Sequence, residues 1–486
     1  MDQHLGEYLG IEGDWSLDTD DPGMIDVVSP HTEQVIARVA AGGPADVDAA
    51  VTMARAAVGD WGRTAPDERI TMVRRLAELY GRRSGDMAQL ISAEMGAPIT
   101  FAHRAHVGLP ALMMSAFCDL AETYRWQETR AGYFGADVHV RNEPVGVVAA
   151  VVPWNMPQFL IVAKLVPALL AGCAVVLKPA PESPLDALLL AEMTAQIGLP
   201  DGVVTVVPGD AAVGASLVGH HDVDKVSFTG STVAGRAVAA ACAANLTEVS
   251  LELGGKSAAI ILDDADTETV AAGVCSASLS NSGQICNALT RILVPAAREQ
   301  EFVDALAARM ESLVVGDPAD PATELGPLVS RRQQQRVRDY IEIGLREGAR
   351  QVVGGTELPD GVDGGWYVRP TLFAGADNSM RISREEIFGP VLTVIPYRDE
   401  DDAVAIANDS DYGLAGSVWT ADSERGVSIA ERVHTGTFGV NQGYTMDPFA
   451  PFGGVKSSGY GRELGREGLA GYLHTKSIAV ASQGRK

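Results

Sequence analysis

Between Pro144 and Gly255 the chain alternates short, almost uninterrupted apolar runs with stretches of helical character, and turn residues punctuate the joins. The runs VGVVAAVVP, AVVLKP, VVTVVPG, DKVSFTG and TEVSLELGG read as strands; PLDALLLAEMTAQIG and STVAGRAVAAACAANL read as helices between them. A strand apolar on both faces must be covered on both. Strands separated by helices pair in parallel through crossovers, so this segment predicts a doubly wound α/β sheet.

A second series begins near Lys256, with AAIIL and TRILVP as strands and REQEFVDALAARMESL and RRQQQRVRDYIEIGLREG as amphipathic helices, and predicts another α/β domain. From Ala45 to Met114 the apolar positions recur three and four apart, as in helices. Two domains also suit 486 residues, because single cores stop growing beyond about 250 to 300 residues. The stretch from Phe159 to Leu177 is apolar enough to suggest a membrane span, but Lys164, Pro167 and Gly172 interrupt it. A buried helix followed by a buried strand fits better, and no membrane association is expected.

Charge narrows the partners. There are 38 Lys and Arg against 63 Asp and Glu, a net charge of -25, which repels polyanions, so nucleic acid is not expected. A dinucleotide stays possible, since a few backbone N–H groups at a helix N-terminus hold its phosphates. Cys118, Cys173, Cys242, Cys275 and Cys286 are scattered and odd in number, which suggests neither a disulfide framework nor a metal site. The N-terminal MDQHLGEYLGIEGDWS has no basic segment followed by an apolar run, so a cytoplasmic location is the default expectation.

Three stretches offer chemistry. In SFTGSTVAGR, Gly230, Ser231 and Gly235 stand where a strand gives way to a helix, so a phosphate could approach the helix N-terminus; alone, the stretch fits an ordinary turn as well. Cys286 lies in SNSGQICNA, where Asn281, Ser282, Gly283, Gln284 and Asn287 give the polar, flexible surroundings that an accessible thiol needs. Buried, inert core is the alternative, and the other four cysteines fit it. Glu252 lies between Leu251 and Leu253 in VSLELGGKS. Desolvation there would raise its pKa toward that of a general base, whereas an outward-facing strand position would leave it ordinary.

These stretches resemble the aldehyde dehydrogenase superfamily, in the family's order, and further matches accompany them: PWNMP from Pro153, KPAPESP from Lys178, EEIFGPV from Glu385 and PFGGVKSSGYGRELG from Pro451. The resemblance implies a Rossmann-type cofactor domain (1–123 and 144–254, with 456–472 returning to it), an α/β catalytic domain (255–455) and a small β oligomerisation element (124–143 and 473–486). A homodimer or homotetramer is then expected. It also implies oxidation of an aldehyde to a carboxylate through a thiohemiacetal and thioester on Cys286. Asn155 and the Cys286 N–H would form the oxyanion hole, Glu252 would activate water, and Lys164 and Glu463 would pass the proton on.

For the cofactor, the resemblance implies Val151, Pro153, Trp154, Lys178, Gly230, Ser231, Leu253, Glu386 and Phe388; for the aldehyde tunnel, Met156, Leu160, Ala163, Ile285, Met446 and Phe452. Three residues after Lys178, where many NAD-preferring relatives carry Glu, this chain has Pro181 and then Glu182. The carboxylate that normally rejects the 2′-phosphate is thereby displaced, which leaves NADP open, and NAD is the expected cofactor because neither an extra Arg nor another evident phosphate partner flanks Lys178. Two rivals share the motifs: a relative that acylates coenzyme A, and a silent binding or structural relative. Glu252 argues against the first, and the joint presence of Cys286, Glu252 and Asn155 against the second.

Overall fold

The computed structural model describes residues 23–444 and 446–481, so the N-terminal segment, and residues 482–486 of the expected oligomerisation element, lie outside the described residues. The first alternating series forms a sheet in the spatial order Gly459–Tyr460, Glu248–Glu252, Lys225–Thr229, Val147–Val151, Ala174–Lys178, Val204–Val206. All its pairings are parallel except at the Gly459–Tyr460 edge, where a returning C-terminal segment pairs antiparallel with Glu252 and Leu251. Val147–Val151 and Ala174–Lys178 are buried at every residue, which is why both read as apolar runs up to Lys178.

The chain leaves Val147–Val151 on one side for Ala174–Lys178, then returns on the other side at Lys225–Thr229. Strand order therefore reverses between Val147–Val151 and Lys225–Thr229. In open parallel sheets a ligand crevice forms at this reversal, beyond the carboxyl ends of the strands.

The apolar stretch from Phe159 folds as a helix, Pro157–Ala171, buried at every position, followed by the strand Ala174–Lys178. Among the described residues no helix is long and apolar enough to cross a membrane. The second sheet runs Arg350–Gly355, Arg369–Ala374, Val391–Tyr397, Arg291–Pro295, Ala258–Ile261, Gly416–Trp419, Gly439–Val440, parallel except at its first pair. Helices Thr267–Leu279 and Glu299–Glu311 cover one face, and Glu400–Asn408 and Ser423–Ala430 the other. A third sheet, antiparallel, comprises the hairpin Gln127–Ala131 and Asp137–Pro144 with Leu473–Val480 along its edge. That edge strand is exposed along most of its length, and so are Tyr133 and Phe134 at the hairpin tip.

Candidate active site

Both sheets contribute to a cleft of about 570 Å³ at the strand reversal. Pro153, Trp154, Asn155 and Met156 enter it from the end of Val147–Val151, and Thr229 to Val233 from the end of Lys225–Thr229. Glu252 and Leu253 come from the next strand, Ile285 and Cys286 from the loop before Arg291–Pro295, and Glu386 and Phe388 from the loop before Val391–Tyr397.

Cys286 is half-buried in the cleft wall, whereas the other four cysteines are buried in the cores. The loop before it is neither exposed nor slack: Asn281, Ser282, Gly283 and Gln284 are all buried. Asn281 and Ser282 hold left-handed φ values of 54° and 56°, which Asn tolerates and which costs Ser282 roughly 1 to 2 kcal/mol. Hydrogen bonds offset that strain. Asn281 Nδ2 donates to the Asn155 carbonyl (2.7 Å), Ser282 Oγ to the Gly326 carbonyl (2.7 Å) and Gln284 Nε2 to the Asn281 carbonyl (3.1 Å), while Gln284 Oε1 accepts from the Val329 N–H (3.0 Å). The expected flexible setting is thus corrected: polarity in SNSGQ fixes the loop from within. Burial, then the Glu386 and Glu252 carboxylates, push the Cys286 thiol up to about 12, opposed by the backbone N–H groups of Asn287 and Cys286.

Asn155 is buried, and its Nδ2 donates to the Gln284 carbonyl at 2.9 Å. A primary amide carries two N–H bonds, so one remains for a ligand in the cleft. Glu252 is buried, and neither carboxylate oxygen makes a hydrogen bond within the described residues. Burial, then repulsion from Glu463, hold it well above the usual carboxylate range, with Lys164 opposing. Lys164 is fully buried, pairs with Glu463 and donates to Thr229 Oγ1 at 2.6 Å. Glu463 therefore has an ion-paired counter-charge, whereas Glu252 has no ion pair among the described residues and only the more distant pull of Lys164 and Arg462.

On the other side, Ser231 caps the helix Thr232–Asn245 by accepting the Ala234 N–H at 3.2 Å, and no acidic residue occupies its first turn. Trp154 and Phe388 meet edge to face with centroids 5.5 Å apart. Glu386 accepts the Gly255 N–H at 3.0 Å, and burial raises its carboxyl to about 7. The Gly254–Gly255 pair makes this approach possible: a Cβ on Gly254 would collide with the Glu386 carboxylate, and one on Gly255 would lie 2.7 Å from the Cys286 carbonyl oxygen. An anion-favouring helix end, an aromatic pair and a buried carboxylate facing one crevice fit a dinucleotide.

Comparison with known proteins bears on the same crevice. The aldehyde dehydrogenase family model matches residues 16–478. The chain belongs to the aldehyde dehydrogenase family. It is 45% identical over 474 residues to the geranial dehydrogenase of Castellaniella defragrans, covering 97% of this chain and 98% of that protein. An aldehyde dehydrogenase of Mycobacterium tuberculosis, solved with NAD+, superposes with a TM-score of 0.93 at 45% identity, covering 98% of both chains. A cysteine-to-alanine mutant of aldehyde dehydrogenase C from Pseudomonas syringae, solved with NAD+ and octanal, gives 0.91 at 45% identity over 96% of this chain and 95% of that one.

Within this aldehyde dehydrogenase, most of the residues expected at the site line the cleft: Pro153, Trp154, Asn155, Met156, Leu160, Gly230, Ser231, Glu252, Leu253, Ile285, Cys286, Glu386, Phe388, Met446 and Phe452. Three do not. Ala163 is buried in the same core cluster as Leu160, behind the cleft wall. Val151 is the buried end of its strand, and Lys178 is buried beside it, its Nζ donating to the Pro179 carbonyl at 2.8 Å. Burial lowers the Lys178 ammonium to about 8, opposed by Glu182 and Asp210. Lys164 and Glu463 are buried, outside the cleft wall, and electrostatically linked to Glu252.

Sequence reasoning missed Phe159, Arg332, Gln333, Arg336 and Tyr412, which also line the cleft. Arg332 and Arg336 sit one turn apart on the helix Arg331–Arg346, and that i, i+4 spacing was the available signal. Arg332 ion-pairs with Glu182 at 3.1 Å. An arginine thus does reach the Lys178 corner, from a distant element, and it is engaged by Glu182.

Proposed function

We propose that this aldehyde dehydrogenase oxidises medium-length and longer apolar aldehydes to carboxylates with NAD+, by way of a thioester on Cys286. The support is a single cleft that holds the Cys286 thiol, the Asn155 amide and a Glu252 carboxyl buried without an ion pair among the described residues. Cys286, its thiol proton lost to solvent, adds through Sγ to the aldehyde carbon. The Asn155 amide and the Cys286 N–H donate to the carbonyl oxygen as it becomes anionic, and donors fixed in advance stabilise charge that appears only at that stage. Pro153, Trp154, Gly230, Ser231, Leu253, Glu386 and Phe388 would hold the dinucleotide, with Val151 and Lys178 shaping its border. NAD+ supplies the hydride acceptor when the thiohemiacetal collapses to the thioester. Glu252 then takes a proton from water as the water attacks, freeing the carboxylate and restoring the thiol. Lys164 and Glu463 carry that proton away, an assignment supported by their coupling to Glu252.

NAD+ is favoured over NADP+ because the Glu182 carboxylate, tethered by Arg332, stands beside the Lys178 corner and repels a 2′-phosphate. Met156, Phe159, Leu160, Ile285, Met446 and Phe452 give the substrate side an apolar wall, consistent with relatives named for geranial and solved with octanal. The division into a cofactor domain (1–123, 144–254 and 456–472) and a catalytic domain (255–455) is supported, for the described residues, by the presence of two large sheets. The exposed edge Leu473–Val480 supports self-association into a dimer or tetramer. Five unpaired thiols suit a reducing compartment such as the cytoplasm.

The test is product analysis of octanal turnover with NAD+, with and without coenzyme A. Octanoate in both arms supports the hydrolytic route, and octanoyl-CoA in the second overturns it. Absence of oxidation across aldehydes from acetaldehyde to octanal overturns the assignment as a whole.

A further inference from the structure

Behind the cleft, two buried polar groups without partners face each other. His106 is fully buried, and neither ring nitrogen makes a hydrogen bond within the described residues. Asn281 is buried, its Oδ1 is also without a partner, and its side chain meets His106. The other end of the Asn281 amide determines which way it points. A carbonyl can only accept, so the group facing the Asn155 carbonyl at 2.7 Å must be Nδ2, and the oxygen is turned away from it.

His106 supplies what that oxygen lacks. Burial lowers its pKa to about 4, so the ring is neutral in the working range and carries one N–H. Leaving both groups unpaired would cost the desolvation of each, which favours an N–H to Oδ1 hydrogen bond. The backbone around His106 is unusual as well: Ala102–Gly108 is a π-helical segment between the α-helical stretches Ile99–Phe101 and Leu109–Glu122. Such segments are rare and concentrate at functional sites. Phe101 packs edge-on against the ring at 5.3 Å between centroids and restrains its plane.

We infer that His106 is a positioning residue for the oxyanion-binding amide: it fixes the Asn281 side chain in the orientation that anchors the Asn155 backbone, and so aims Asn155 Nδ2 into the cleft. The inference rests on the role proposed above for Asn155. An Asn281 amide released from His106 can rotate and set its oxygen against the Asn155 carbonyl, which repels it. Asn155 then shifts, and the loop carrying Cys286 loses one of the bonds that offset its left-handed residues.

The experiment compares His106→Phe, which keeps a ring and removes the donor, with His106→Gln and His106→Asn, which keep a donor. Expected are a kcat for His106→Phe lowered about 10- to 100-fold, the range that displacement by an ångström produces, an unchanged KM, and recovery in at least one donor variant. Turnover by the parent and its loss in Cys286→Ala establish the site's function independently, so an inert His106 is a failure of this inference alone. A parental kcat in a folded His106→Phe enzyme overturns it. So does an equal fold-loss when His106→Phe is added to Asn281→Ala, because a residue acting through Asn281 has nothing left to lose there. Should His106→Phe not fold, Asn281→Asp decides: it keeps an acceptor for His106 and puts an oxygen against the Asn155 carbonyl. A lowered kcat at parental KM supports the inference, and a parental kcat overturns it.

Discussion

In the cofactor-free enzyme, Cys286 should alkylate slowly, with a rate that climbs about tenfold per pH unit through the neutral range instead of levelling off. Burial and two neighbouring carboxylates push this thiol up to about 12. At about pH 7.5 that leaves roughly three thiols in 10⁵ ionised, against about one in ten for an exposed cysteine of pKa about 8.5. The less acidic thiolate is the better nucleophile, and a Brønsted slope of about 0.45 over a difference of about 3.5 units returns a factor of about 40. The net expectation is iodoacetamide labelling about 100-fold slower than that of free cysteine. Glu386→Gln sharpens the test. Burial raises the Glu386 carboxyl to about 7, so its negative charge builds up as pH rises through neutrality. Removing that charge lowers the thiol's pKa and speeds labelling, more at about pH 8.5 than at about pH 6. Timed quenching and intact-mass measurement, with Cys286→Ala as the blank, give the rates. A plateau below about pH 9, or slower labelling in Glu386→Gln at the higher pH, would refute the electrostatic account.

Glu252→Gln should still release up to one equivalent of NADH per competent site and then stall with an acyl adduct on Cys286, seen by intact mass; steady parental turnover without burst or adduct removes Glu252 from deacylation. Specificity constants should favour NAD+ over NADP+, and Glu182→Gln should narrow the ratio by admitting the 2′-phosphate to the Lys178 corner; a parental preference for NADP+ contradicts this. From acetaldehyde to octanal kcat/KM should rise, by at most roughly fourfold per methylene if each contributes about 0.8 kcal/mol; a flat or falling series rejects the apolar tunnel. Lys164→Met should destabilise the fold by about 3 to 5 kcal/mol by leaving Glu463 buried and unpaired. Chemical denaturation showing a loss under about 1 kcal/mol contradicts the pairing.

What the sequence discloses and what it conceals divides along a physical line. Burial on both faces disfavours polar residues in a strand, so Val147–Val151 and residues 174–177 announce themselves as unbroken apolar runs. The reversal of strand order that creates the cleft leaves no such trace, because it depends on which strands pair and not on what any one of them contains. Glu252 was visible as a carboxylate between two leucines, but its isolation was not. That comes from the Gly459–Tyr460 edge strand, about 200 residues away in sequence, which pairs with it and helps to shut out water. Arg332 read as one polar position on an amphipathic helix, since only the fold brings it to Glu182.

The loop before Cys286 shows how the same residues can carry two opposite meanings. Asn, Ser and Gly in sequence suggest flexibility when their hydrogen-bonding partners are unknown. With the partners known they mean the reverse: Asn tolerates the left-handed backbone, and the polar side chains find buried carbonyls on Asn155 and Gly326 that an apolar side chain would leave unsatisfied. The reactivity of Cys286 therefore cannot come from exposure or mobility. It must come from groups that the rigid loop presents to the thiol, which is why a silent residue such as His106, two bonds removed from the cleft, is expected to register in kcat and not in KM.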